Sequence, residues 1–65
     1  MAHQVLRIGG VKERTGLAKS TIYLRIQQGS FPKPIPLGSD HVVGWLASEI
    51  DAWIDAQVRA ARRVQ

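Results

Sequence analysis

Between Lys19 and Gln28 the chain carries Ser20, Thr21, Gln27 and Gln28, four side chains that both donate and accept hydrogen bonds, with Lys19 and Arg25 beside them. Placed on a helix at roughly 100° per residue, Ile22 and Ile26 share one side, and Ser20, Thr21, Leu24, Gln27 and Gln28 share the other. A face that is merely solvated normally carries charges. Hydroxyl and amide groups of this reach can instead address base edges in the major groove of a DNA duplex. Lys19 and Arg25 flank the face, where phosphates would lie. Tyr23 falls on the same flank, with its ring on the core edge and its hydroxyl toward solvent or a phosphate. Leu24 is the one large apolar group on the polar face. Three roles are open to it: contact with a thymine methyl, packing against a neighbouring loop, or packing against a second protomer.

A helix bearing such a face must be held in place by the rest of the chain. Val11-Lys12-Glu13-Arg14 reads as a short helix ending at Thr15, with Val11 inward. Lys12 and Arg14 point away, to meet phosphates or to serve solubility alone. Gly16 permits the left-handed backbone that a tight reversal between helices needs, and Leu17 plugs the corner. Helix, glycine turn, helix is the helix-turn-helix arrangement. Ahead of it, Val5 to Ile8 alternate as a short strand with Leu6 and Ile8 on one face, broken by Gly9-Gly10. Gly29 closes the second helix as a left-handed cap.

Two prolines make Phe31-Pro32-Lys33-Pro34 an extended connector, with Phe31 sealing the core beneath the second helix and Lys33 exposed to a phosphate. Ile35 to Leu37, the turn Gly38-Ser39-Asp40-His41, and Val42 to Trp45 read as a hairpin. Pro36 suits only an edge strand or a position whose amide would face outward. His41 is either a phosphate contact or an exposed turn residue without a role. Ser48-Glu49-Ile50-Asp51 has the form of a capping box, so a final helix is expected with Ser48 as N-cap. Ile50, Trp53, Ile54, Val58 and Ala61 follow helical spacing on one face, which predicts packing across the motif and the hairpin, with Trp45 and Trp53 as the largest anchors. Arg59-Ala60-Ala61-Arg62-Arg63 places cations at the helix end, where they complement the dipole or form a basic tail on DNA.

Val11, Thr15-Gly16-Leu17, Ser20-Thr21-Ile22-Tyr23, Gly29, Phe31-Pro32-Lys33-Pro34, Leu37-Gly38, Gly44-Trp45, Ser48-Glu49-Ile50 and Trp53-Ile54 stand in the order and spacing of a known group. On these residues the chain resembles the small phage regulators of the AlpA family, close to the excisionase and MerR-like winged-helix proteins. The resemblance implies an α+β fold: a small winged helix-turn-helix with a short N-terminal strand, a two-helix motif, a β-hairpin wing over residues 35–45 and a C-terminal helix. It also implies a DNA-binding transcription regulator or a recombination directionality factor of an integrated element, with an integrase or further copies of itself as partners. Three departures from the family pattern bear on binding. Ala18 stands where a Ser N-cap is usual, a loss of about 1 kcal/mol unless Ser20 or Thr21 moves the cap inward. Leu24 stands where a basic residue is frequent, and the wing tip Ser39-Asp40-His41 lacks the Arg that would enter a minor groove. A single recognition helix with such a wing supplies few base contacts, so specificity is expected from several protomers on adjacent sites or from DNA bending.

Charge and composition narrow the function classes. Nine Lys and Arg against five Asp and Glu give +4 in a chain of 65 residues, and the sequence pI of about 10.4 lies in the range of a nucleic-acid footprint. Before Gly38 the bases meet one acid, Glu13. Asp40, Glu49, Asp51 and Asp55 then meet no base until Arg59. The basic half is also the half carrying the two-helix motif, although a solvated basic surface would have the same composition. The length allows one domain, ordered over about residues 5–60. Cysteine is absent and His3 and His41 are isolated, so neither a disulfide framework nor a metal site is expected. No cofactor is implied. No apolar run spans a membrane and no signal sequence opens the chain, which places it in the cytoplasm. Acids strung along one helix face, with no nucleophile and base in a pocket, offer no enzyme. Two readings remain: a sequence-specific DNA-binding regulator, or a protein-protein interaction module such as an anti-repressor or phage packaging adaptor with incidental basic charge.

Overall fold

A computed structural model describes residues 3–38 and 41–63. In chain order the elements are β1 (Val5–Leu6), α1 (Ile8–Thr15), α2 (Lys19–Gln27), β2 (Ile35–Pro36), β3 (Val43–Leu46) and α3 (Ala47–Arg63). This is the α+β winged helix-turn-helix layout implied by the resemblance. β3 lies at the centre of a three-stranded antiparallel sheet of order β1-β3-β2. Val5 pairs with Leu46 and Leu6 with Trp45 on one side, and Ile35 pairs with Gly44 and Pro36 with Val43 on the other. The Leu37 amide donates to the Val42 carbonyl at 2.8 Å, so the intervening Pro36 sits at the position whose amide would face outward from the edge strand. Its missing N–H therefore removes no ladder bond.

The first helix differs from expectation at its start. β1 stops at Leu6, and Gly9-Gly10, expected to break the strand and precede the helix, lie inside the first turn of α1. Arg7 is extended (φ −84°, ψ 173°) and accepts the first helical bond from the Val11 amide at 3.1 Å. Packing outweighs helix propensity here. A Cβ on Gly10 would come into ordinary contact with the Leu6 side chain, 3.4 Å from Cδ2, and one on Gly9 would meet nothing within 4 Å, so this turn has room for side chains. The start at Ile8 brings that side chain onto the core beside Val11. The end of α1 is as expected. Gly16 adopts φ 73° and donates to the Lys12 carbonyl at 2.8 Å. The Thr15 hydroxyl donates to the Val11 carbonyl and accepts from the Leu17 amide.

Val11, Ile22, Phe31, Trp45 and Ile50 form the buried cluster, with Leu6, Ile8, Leu17, Ile26, Val43, Trp53 and Ile54 packed around it. The Trp45 ring is fully enclosed, and its indole N–H donates to the Pro32 carbonyl at 3.0 Å, tying the proline connector to β3. Gly44 faces β1 so closely that a Cβ there would meet Val5 Cγ1 at 2.5 Å and the Leu6 carbonyl oxygen at 3.1 Å. Close approach of strands at the sheet centre, not turn geometry, is what this glycine serves.

α3 departs from expectation at both ends. β3 passes without a loop into the helix at Ala47, so Ser48 lies within the first turn instead of capping it. The Ala47 amide donates to the Gln4 carbonyl at 2.8 Å, which continues the β1 ladder to the helix start. At the other end the apolar face is only partly covered. Ile50 is buried, Trp53 and Ile54 are half-buried, but Val58 is 39% exposed and Ala61 is exposed. The cause is length: the 17 residues of α3 span about 25 Å, whereas the 8 residues of α1 beneath it span about 12 Å. Among the described residues no helix is long and apolar enough to cross a membrane.

Candidate nucleic-acid interface

The polar face of α2 is left open by the way the helix packs. Ile22 is fully buried and Ile26 half-buried against the core, which turns Lys19, Ser20, Leu24, Gln27 and Gln28 to the exterior and leaves Thr21 half-buried at the edge. Leu24 stands 53% exposed. Packing against a loop of its own chain, one of its three expected roles, therefore falls away. Tyr23 lies on the flank as expected: it is partly exposed, with its ring edge-on to Trp45 at a centroid distance of 6.4 Å and 64° between planes.

Both ends of α2 are set by backbone. Ala18 remains the N-cap with no side-chain hydrogen bond, so neither Ser20 nor Thr21 draws the cap inward and both hydroxyls stay uncommitted to it. At the C-terminus Gly29, at φ 76°, donates to the Ile26 carbonyl at 3.1 Å, and Ser30 donates to the Arg25 carbonyl at 2.9 Å. This is the double bond pattern of a Schellman cap. It ends the helix one residue earlier than expected, with Gln28 as C-cap.

That cap is clamped by α3 through Trp53, the anchor its spacing predicts, with partners that the spacing does not indicate. The Trp53 indole N–H donates to the Ser30 carbonyl at 2.7 Å, its ring meets Phe31 edge-on at 4.7 Å, and the Arg25 guanidinium carbon lies 5.9 Å from its centroid. Arg25 is half-buried, and its Nε is enclosed without a partner among the described residues. Arg25 thus lies on the α3 side of the helix, with its guanidinium over the Trp53 ring instead of turned wholly to solvent. A tryptophan at this spacing signals packing, but its three partners here come from a distant segment.

The expected cations divide. Lys12 on α1, Lys19 at the start of α2 and Lys33 on the connector are exposed. Arg14 is drawn to α3, where its Nη1 meets Asp51 Oδ1 at 2.8 Å. The expected separation into a basic and an acidic half is therefore bridged at this point, since packing α1 on α3 brings Arg14 against an acid distant in sequence. His41 is exposed in the hairpin turn with φ 65°, while Ser39 and Asp40 of the wing tip lie outside the described residues. Among the described residues no three His, Cys, Asp or Glu side chains converge as metal ligands. What the surface offers is hydrogen-bond donors and acceptors on a convex helix, rimmed by lysines.

The family model described as prophage CP4-57 regulatory protein (AlpA) matches residues 4–58, a stretch running from β1 through most of α3. The chain is 40% identical over 58 residues to an uncharacterized protein, ORF88, of Enterobacteria phage P4, covering 89% of this chain and 65% of that protein. It is 36% identical over 64 residues to the DNA-binding transcriptional activator AlpA of Escherichia coli K12, covering 89% of this chain and 90% of that protein. The chain thus spans just under two thirds of the phage P4 relative and most of the E. coli one.

Proposed function

The chain belongs to the AlpA family of prophage regulatory proteins, and from that premise we propose that it binds double-stranded DNA sequence-specifically to regulate an integrated element. The observation that carries this reading is the open face of α2, where Ser20, Leu24, Gln27 and Gln28 are exposed on one surface although the helix is firmly held behind. In this reading α2 enters the major groove. Ser20, Thr21, Gln27 and Gln28 address base edges, and Leu24 meets a thymine methyl. Lys12, Lys19, Lys33 and the Tyr23 hydroxyl hold phosphates, and the hairpin over residues 35–45 lies alongside as the wing, with His41 near its tip. Arg25 contributes through its guanidinium, which also lies over the Trp53 ring. Arg14 reaches a phosphate only by exchanging its exposed ion pair with Asp51.

The E. coli relative is a DNA-binding transcriptional activator, which favours transcription control as the output of this chain. The protein acts by binding, without catalysis, in the cytoplasm where its DNA lies. Selection from random-sequence duplexes followed by gel shift tests the proposal. Binding to the selected duplex that resists a large excess of random competitor is expected. Absence of binding even at low salt would refute it and return the reading to a protein-protein interaction module.

A further inference from the structure

We propose that the outward half of α3 is a self-docking face, on which a second copy of this chain packs antiparallel about a two-fold axis passing near Val58. Ile54, Val58 and Ala61 form a stripe at i, i+4 and i+7 along a helix whose far turns project past the rest of the fold, and Val58 is 39% exposed. Beside it runs a shallow groove of about 440 Å³, lined by Asp51, Ala52, Ile54, Asp55 and Val58. The groove is apolar along its floor and acidic along its rim.

The charges identify the occupant. Acids occupy the first part of α3 (Glu49, Asp51, Asp55) and bases the last part (Arg59, Arg62, Arg63), in equal number. Two such helices side by side in the same direction would set like charges together. Reversed and centred on Val58, they place Arg62 of the second copy opposite Ile54, within reach of Asp51 and Asp55, and the symmetric contact forms at the other end. A duplex or an anionic membrane would meet the acidic rim as well as the bases, so a single-sign surface fits this face poorly. The present partners of the two acids do not block the exchange. Arg59 meets Asp55 at 3.0 Å and Arg14 meets Asp51 at 2.8 Å, and both pairs are largely exposed, so each is worth little in water.

The stretch from Asp51 to Arg63 is about 20 Å long and one helix wide, too small for the ~1,200 Å² of a stable standard interface. Pairing is therefore weak in free solution and becomes effective when two copies are held close together. On DNA a two-fold pair would read inverted half-sites. That consequence rests on the DNA-binding reading; the pairing itself does not.

The chain has no cysteine, so single-cysteine variants of the whole chain report the contact directly. Val58→Cys lies on the axis. Ala56→Cys lies on the opposite side of the same exposed helix and keeps its sulfurs outside bonding range. In mild oxidant without DNA, Val58→Cys should form disulfide-linked dimers on the order of tenfold faster than Ala56→Cys. Adding Arg62→Glu to Val58→Cys should slow linkage by about threefold, and adding Asp55→Arg to that variant should restore it. Circular dichroism confirms that each variant remains folded. Equal rates for the two cysteines would overturn the docking face. Fast linkage at Val58→Cys that ignores Arg62→Glu, or that Asp55→Arg fails to restore, would overturn the antiparallel pairing. Gel shift of the reduced variants scores DNA binding separately.

Discussion

Trp53 ties α3 to the C-terminus of α2, and its removal separates packing from hydrogen bonding. Truncating a fully buried tryptophan to alanine costs about 3–5 kcal/mol. Trp53 is only half-buried, so its ring packing against Phe31 is worth roughly half of that, about 2 kcal/mol. The indole bond to the Ser30 carbonyl adds about 1 kcal/mol, with little penalty for the carbonyl left behind, because Ser30 is exposed to water. Loss of the Arg25 contact adds about 0.5 kcal/mol. Trp53→Ala should therefore cost about 3.5 kcal/mol and Trp53→Phe about 1 kcal/mol. Against a total stability of roughly 3–10 kcal/mol for a chain of 65 residues, the alanine variant would be largely unfolded if the protein lies at the low end. Urea unfolding followed by far-UV circular dichroism and by Trp45 fluorescence measures both values. A loss below about 1 kcal/mol for Trp53→Ala, or equal losses for the two variants, would refute the clamp. A folded Trp53→Ala that no longer binds DNA would make Trp53 a surface contact instead.

Gly44→Ala should destabilise by about 1–3 kcal/mol, despite the higher strand propensity of alanine, because its Cβ meets Val5 and the Leu6 backbone; the shift of the urea midpoint measures it. Lys12→Ala and Lys19→Ala should weaken all duplexes alike and lower the salt slope by about one unit each, whereas Gln27→Ala or Thr21→Ala should alter preference among sequences by about 1–3 kcal/mol. Replacing the thymine at the Leu24 contact by uracil should lower affinity about fourfold, the worth of one buried methyl, and Leu24→Ala should abolish that difference. Arg14→Ala should change stability by no more than about 0.5 kcal/mol, since the pair with Asp51 is exposed; thermal melts at low and high salt test it.

Local residue types and spacing carried much of the site. Gly16 and Gly29 take the left-handed conformations that their positions between and after the helices require. The alternation of Ile22 and Ile26 with Ser20, Leu24 and Gln27 was enough to tell the buried from the open side of α2, since helical period and polarity are properties of the stretch itself. Phe31, Trp45 and the proline-bounded hairpin were legible for the same reason. Tertiary structure decided what depends on a partner distant in sequence. Gly9 and Gly10 join α1 because a start at Ile8 seats that side chain on the core beside Val11; Ser48 loses its capping role because β3 runs straight into α3; Arg14 and Arg25 are diverted by Asp51 and Trp53. Val58 and Ala61 follow the same periodicity as Ile50, yet they stay outside. Periodicity specifies which face of a helix is apolar, but only the length of what lies beneath it determines how far along that face is covered.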